Sequence, residues 1–325
     1  MPISSPIANA PYQSSVKPWK IVPKVSVSII TYNHENYIAQ AIDSVLKQQV
    51  TFDYEIIIGD DCSTDGTREI LQTYQQRYPD IIQLVLHPKR YDGVPGRLNN
   101  ITNLYACRGQ YVALLDGDDY WISDNKLQTQ VEFLDQHPEY VLTFHDALVI
   151  SEEKDFDSYN HSDEFAFLQS KDSFIHRDVA ERWFMQTSSI MYRNKILGEF
   201  PDWFWQVYSA DYILQLLISQ YGKIRYFSHL SSVRRKNQNS FSVLYNQSLE
   251  DNLRRIKEIK ILQQKFEYVK TSIFFRKRLA RYYYRHAFLL RGQKSYLLST
   301  LYLLKSFSTN REYFLSKNSF LKKFI

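Results

Sequence analysis

Residues 111–121, YVALLDGDDYW, decide how the rest of this 325-residue chain is read. Val112, Ala113, Leu114 and Leu115 form an apolar run too short for a helix and of the right length for a strand buried on both faces of a parallel sheet. The run stops at Asp116, Gly117, Asp118 and Asp119. Ligands of open α/β sheets bind outside the carboxyl ends of the strands, so carboxylates gathered there suit a hard divalent cation and a phosphate-bearing substrate. An Asp/Gly turn without a ligand is the plainer alternative. Three carboxylates within four positions repel one another unless a cation sits among them, which weighs against that alternative.

Upstream, residues 25–30 (VSVSII) are β-branched and apolar and predict a strand. A polar turn, Thr31 to Asn36, leads into a helix through Leu46 on which Ile38, Ala41, Ile42, Val45 and Leu46 share one face. A second predicted strand, 54–58, ends in Gly59, Asp60 and Asp61. Ser63, Thr64 or Asp65 can cap the helix that follows to about Tyr78, but capping leaves Asp60 and Asp61 unexplained. Residues 81–86 predict a third strand, and a loop with Gly93, Pro95 and Gly96 leads to a helix over about 98–107. Beyond the central strand, 126–137 carries Leu127, Val131 and Leu134 at helical spacing and stops before Pro138, and 140–150 reads as another strand. This alternation predicts a three-layer α/β fold around a mostly parallel sheet. Neither a Gly-rich P-loop nor a GxGxxG follows the first strand, so the NTPase and dinucleotide signatures are missing.

Hydrophobic residues make up 44% of the chain and charged residues 23%, an ordinary globular balance. The 25 Tyr and 20 Phe read mainly as core. Two cysteines, Cys62 and Cys107, are too few for a disulfide framework and fit a reducing compartment. No apolar stretch reaches signal-peptide length at the N-terminus or the roughly 18 residues of a membrane span. A cytoplasmic protein is expected, with the inner face of the membrane as a candidate surface. Residues 1–24, with five prolines among Ser, Ala and Asn, read as a poorly ordered or surface-draped leader. The net charge of +5 is unevenly spread: residues 245–325 hold 18 Lys/Arg against 5 Asp/Glu, and residues 1–244 hold 22 against 30. An acidic body carries a basic tail.

Four segments, ITYNHENYIAQAIDSVLKQ (30–48), IIIGDDCSTDGT (56–67), CRGQYVALLDGDDYW (107–121) and KLQTQVEFLDQHPEY (126–140), resemble in order and spacing the family 2 glycosyltransferases of the GT-A fold. The likeness covers 25 to about 150 and continues more weakly to about 244. It implies a Rossmann-like α/β domain over 25–244, its mostly parallel sheet flanked by helices, and a basic helical region over 245–325.

Carried over by matching position, Thr31, Tyr32 and Asn33 fall at the turn that packs on the donor's nucleobase and ribose. Asp61, with Asp60 beside it, matches the acid that accepts from the base N–H. Asp116, Gly117 and Asp118 match the DxD motif at ribose and diphosphate, where Mg²⁺ or Mn²⁺ binds. Asp118 is the first choice as metal ligand and Asp119 the second, because the doubled acid blurs the register. Arg97 is a candidate for the diphosphate or an ordinary surface arginine. Residues 150–186 fit a mobile acidic loop over the site, and 186–193 (QTSSIMYR) resemble the acceptor-side strand. Asp211 matches the family's catalytic base, although an acid at the head of a helix is also favoured by capping and the helix dipole. Residues 232–242 resemble the loop over the diphosphate, with Arg235 matching its arginine and Asn237 standing where many relatives have histidine.

The implied activity is inverting transfer from a nucleotide-diphosphate sugar, UDP favoured, to a hydroxyl of a glycan or lipid-linked acceptor, with no nucleic-acid partner. Two alternatives are a non-catalytic donor-binding subunit and a sugar-phosphate nucleotidyltransferase. The latter needs a Gly/Arg-rich loop that residues 31–36 lack. From Tyr245, Leu249, Leu253, Ile256, Ile259, Phe266, Val269 and Ile273 recur at helical spacing, with further helices over about 274–291 and 294–307. These helices suit an anionic membrane surface or a packed bundle with a solvated basic face.

Overall fold

The computed structural model describes residues 13–14, 22–91, 93–153, 156–236, 248–266 and 269–317. Its strands are β1 (Gln13–Ser14), β2 (Val25–Thr31), β3 (Tyr54–Asp60), β4 (Ile82–Leu86), β5 (Tyr111–Asp116), β6 (Tyr120–Trp121), β7 (Tyr140–Ser151), β8 (Tyr159–Asn160), β9 (Ser173–Phe174), β10 (Met191–Arg193) and β11 (Lys223–Lys236). Helices α1 (Ile38–Leu46), α2 (Thr67–Arg77), α3 (Arg97–Ala106), α4 (Lys126–Gln136), α5 (His176–Glu181) and α6 (Ala210–Ile218) accompany them.

β4, β3, β2 and β5 lie side by side and parallel, as their buried apolar runs predict. β10 enters antiparallel between β5 and β7, β11 runs parallel to β7, and β6 pairs antiparallel with β11, so the sheet is mixed beyond β5. Val25, Val27 and Ile29 of β2 join Ile56, Ile58, Ala113 and Leu115 beneath the apolar faces of α1, α2 and α4. The other face of β2 presents Ser26 and Ser28, and there α3 meets the sheet through asparagines: Asn99 donates to Gly59 O, and Asn103 donates to Ser28 Oγ, Ile29 O and Ile57 O. The register pairs Thr31 with Asp60 and Ile30 with Asp116, which brings the ends of β2, β3 and β5 to one level.

Three expectations change. Of the leader, Gln13–Ser14 forms an edge strand on β4, and the rest up to residue 21 lies outside the described residues. Residues 232–236, expected in a loop, are the end of β11, because pairing with β7 supplies an order that the local composition does not announce; residues 237–247, with Asn237, lie outside the described residues. The acidic stretch after β7 holds β8, β9 and short 3₁₀ turns and is tied by Tyr37 Oη donating to Glu152 (2.9 Å) and Lys236 Nζ donating to Tyr159 Oη (2.5 Å).

The chain forms two compact units. One takes residues 1–179, 184–205 and 210–236; the other takes 180–183, 206–209 and 237–325. The second unit thus includes two short segments, 180–183 and 206–209, upstream of its helices. Its helices are α7 (Leu249–Lys265), α8 (Val269–Gly292), α9 (Tyr296–Thr309) and α10 (Arg311–Lys317), so the periodic stretch 249–273 is two helices rather than one. α7 starts on a capping box in which Ser248 Oγ accepts from Asp251 N–H (3.0 Å) and the Asp251 carboxylate accepts from Ser248 N–H (3.3 Å). Farther along α7, the buried Glu258 accepts from Tyr208 N–H and Ser209 N–H, both at 2.7 Å, and from Ser209 Oγ at 3.0 Å. Among the described residues no helix is long and apolar enough to cross a membrane.

Candidate active site

The common level of the β2, β3 and β5 ends sets three polar turns against one another. Asn33, at φ +54°, takes a left-handed conformation that Asn tolerates better than most residues. Its N–H donates to Ser63 Oγ (2.9 Å) and its Oδ1 accepts from Thr64 N–H (2.8 Å). Glu35 Oε2 accepts from Gly66 N–H (2.7 Å), while Glu35 N–H donates to Asp65 Oδ2 (3.1 Å). Asp61 N–H donates to Thr31 O (3.0 Å), and Gly117 N–H to Ile30 O (2.9 Å). A Cβ on Gly117 would lie 2.8 Å from Thr31 Oγ1 and 2.9 Å from His34 Nδ1, so glycine is what lets the DGD turn close on the first turn. Thr31, Asn33, Asp61 and Gly117 are thus brought together.

Tyr32 and Asp61 share a partner that no motif announced. The Arg90 guanidinium lies 3.9 Å from the Tyr32 ring centroid, and Arg90 Nε donates to Asp61 Oδ2 at 3.3 Å. Burial pushes the Asp61 carboxyl up, while Arg90 and the Gly96 N–H pull it down. Asp60 is fully buried and already accepts from Arg68 Nε (2.5 Å) and from the N–H (3.1 Å) and Oγ of Ser63. It holds the β3–α2 turn in shape. Arg97 is not a surface arginine: it is 1% exposed, with its guanidinium 4.5 Å from the Phe204 ring centroid.

The acids at the end of β5 perturb one another. Burial, then the charges of Asp119, Asp118 and Asp211, push the Asp116 carboxyl well above its usual range, with Arg234 opposing. Asp211, one of these contributors, is the second residue of α6 and far away in sequence. Asp119 is buried and pushed up to about 7, first by burial and then by Asp118. One of its oxygens accepts from Ser188 Oγ (2.5 Å) and the other from Arg235 N–H (2.9 Å). The residue expected as second metal ligand therefore fastens β11 and the turn at 187–189 to the end of β5, a role invisible in sequence because both partners are distant.

Asp118, like Asp116 and Asp211, is partly exposed, whereas Asp119 is buried. Among the described residues, no three His, Cys, Asp or Glu side chains are grouped to hold a metal by themselves. Mg²⁺ and Mn²⁺ in phosphate sites commonly take one or two carboxylates, with substrate phosphate and water completing the shell, and Asp118 in a mutually repelling acidic cluster fits that mode.

Arg235 meets the same turn. Its Nη1 donates to Asp118 O (2.6 Å) and its Nη2 to Gln40 Oε1 (2.5 Å), and its guanidinium lies 4.6 Å from the Tyr120 and 5.0 Å from the Tyr37 ring centroid. Tyr37, Tyr120, Arg90 and Ser188 are the residues the sequence reading missed. Tyr120 lies inside the DGDDYW segment but carries no chemistry of its own that would mark it. An aromatic platform with a buried acceptor, a run of carboxylates and an arginine at one end of a sheet suits a ligand made of a base, hydroxyls and a diphosphate.

The family model described as Glycosyl transferase family 2 matches residues 26–199. The uncharacterized protein Rv1520 of Mycobacterium tuberculosis is 39% identical over 171 residues, 53% of this chain and 47% of that one, so this chain spans about half the length of that relative. The poly(ribitol-phosphate) beta-N-acetylglucosaminyltransferase TarS of Staphylococcus aureus is 34% identical over 120 residues, 37% of this chain and 20% of that one. A crystal structure of S. aureus TarS 1–349 in complex with UDP-GlcNAc superposes with a TM-score of 0.54 at 18% identity over 91% of this chain and 92% of that one. The mannosyltransferase PcManGT from Pyrobaculum calidifontis, solved with GDP-Man and Mn²⁺, gives a TM-score of 0.56 at 14% identity over 90% and 79%. At such identities the likeness is one of fold, and that fold is GT-A. With more than half of its length matched by the family model, the chain belongs to glycosyl transferase family 2.

Proposed function

We propose that this protein is an inverting, divalent-cation-dependent glycosyltransferase. It moves a sugar from a nucleoside diphosphate sugar, a UDP-sugar in the first instance, to a hydroxyl of a glycan or lipid-linked glycan in the synthesis of a surface polysaccharide. The donor class is supported by the nucleotide sugars bound to TarS and PcManGT, and the polymer class by the poly(ribitol-phosphate) substrate in the name of TarS. In this reading the base stacks on Tyr32 and donates its N–H to Asp61, an ionised carboxylate being a good acceptor for it. Ribose and diphosphate lie along Asp116, Gly117 and Asp118, and Arg235 is held against this turn by the Asp118 carbonyl. Asp118 would hold Mn²⁺ or Mg²⁺, which when bound neutralises charge developing on the leaving diphosphate. Asp211 takes the proton of the acceptor hydroxyl as its oxygen attacks the anomeric carbon. The bond from that carbon to the diphosphate oxygen breaks, and the nucleoside diphosphate departs with the electron pair. A single in-line displacement inverts the carbon.

The observation that carries this reading is the common level of the β2, β3 and β5 ends, which sets the turns holding Tyr32, Asp61 and residues 116–118 against one another; the role of Asp211 is supported by its matching position in the family. The test is donor-binding calorimetry with UDP-, GDP- and dTDP-sugars, with and without Mn²⁺, on the wild type, Asp118→Asn and Asp211→Asn, alongside a product assay. Asp118→Asn should lose the Mn²⁺-dependent part of donor affinity. Asp211→Asn should bind donor nearly normally while transfer falls by about 10² to 10⁴. As the second residue of α6, Asp211 changed to Asn gives up only the helix-dipole contribution of about 0.3–1 kcal/mol, so an Asp211→Asn protein with most of its turnover would remove this residue from the chemistry.

A further inference from the structure

Helix α9 buries Ser299 and Ser306 and exposes four of its five leucines. Ser299 and Ser306 are fully buried, and Ser306 Oγ donates to Ala280 O of α8 at 2.8 Å. On the same side Tyr302 packs on Tyr283 and His286, with ring centroids 5.8 and 4.3 Å apart. Small residues at this seam let the two helices approach closely. The opposite side carries Leu297, Leu301 and Leu304, 78%, 46% and 59% exposed, with Tyr296 at 64% and Leu298 at 50% beside them. Single exposed leucines are ordinary, but a stripe at i, i+4 and i+7 on one helix marks a face built to be covered.

The charges around the stripe identify the cover. Residues 273–317 contain ten Lys/Arg and one acid, Glu312. Arg291 and Lys294 before the stripe and Lys305 after it are exposed. A second copy of the chain would bring the same cations to the contact and meet repulsion. An anionic bilayer offers both complements: an acyl boundary into which an interfacial helix sinks about 5–10 Å, and phosphates that long Lys and Arg stems reach from the same depth. The stripe runs about 10 Å along the axis at 1.5 Å per residue, and its exposed tyrosine suits the headgroup level.

We infer that α9 lies in the plane of an anionic lipid surface, with Leu297, Leu301 and Leu304 immersed and Lys294 and Lys305 at the phosphates. This goes beyond the transfer reaction and does not depend on it.

The test is co-sedimentation of the full chain with phosphatidylcholine vesicles, with and without about 30% phosphatidylglycerol, at about 0.1 and about 0.5 M NaCl. Binding is expected to the anionic vesicles, weakly if at all to the neutral ones, and several-fold less at the higher salt. Replacing Leu297, Leu301 and Leu304 together with serine should lower partitioning by about tenfold or more with an unchanged thermal melt. Should that variant melt early, Leu297→Ser alone, at the most exposed position, should still lower it measurably. No binding to anionic vesicles, equal binding by a folded leucine variant, or a dimer in light scattering that the leucine variant dissolves would each overturn the inference.

Discussion

Arg90 occupies the face of Tyr32 on which a nucleobase is proposed to stack, and at the same time it neutralises Asp61. A guanidinium over an exposed ring contributes about 0.5–1 kcal/mol, and a partly exposed ion pair at most about 1 kcal/mol. A base that uses the ring must displace it, so Arg90→Ala should lower the Kd for free UDP by about two- to tenfold in calorimetry. A Kd raised by the same factor would instead put the guanidinium on the nucleotide. At this scale the sequence told which residues gather and less about what each one does. The placement of Asp61, Gly117 and Asp118 at the strand ends was legible, because each follows an apolar run that reads as a strand of a parallel sheet. The surroundings of Asp60, Arg97 and Asp119 were not, because their contacts lie elsewhere in the chain: Arg68 for Asp60, Phe204 for Arg97, and Ser188 with Arg235 for Asp119.

β2, β3, β5 and β7 start and stop within two residues of their sequence-based bounds, because each is a Val/Ile/Leu-rich run cut off by polar residues. β11 was missed: its KIRYFSHLSSVRRK sequence has no such run, and its register against β7 slips between Phe227 and Leu230 and again before Ser232. Helix α3 was found, but its contact with the sheet through asparagines was not, since apolar periodicity cannot report an amide seam. Asn103 gives that seam a firm prediction. Asn103→Leu keeps most of the volume but leaves Ser28 Oγ, Ile29 O and Ile57 O without their buried donor. The loss should be about 1–3 kcal/mol in urea unfolding, with the slope of the transition unchanged.

At the scale of the molecule the basic C-terminal helices are not an appendage hung on a finished domain, because their unit includes residues 180–183 and 206–209. Composition shifts at residue 245 and signals only the last of the three segments. Glu258 is the fastening: a buried carboxylate satisfied by two backbone amides and a hydroxyl of residues 208 and 209, with Arg255 3.8 Å away. Glu258→Ala should remove about 2–5 kcal/mol and lower the calorimetric melting transition, whereas Glu258→Gln, which retains one acceptor oxygen, should fall between it and the wild type. This fastening also sets an order of events on the ribosome. The amide of Tyr208 is made 50 residues before the side chain that accepts it, about 2.5–10 s at ordinary elongation rates. Throughout that interval β1 to β10 have already been synthesised, so the second unit can close only after translation has passed residue 258, and a pause or truncation before that point strands residues 206–209 without the acceptor that holds them.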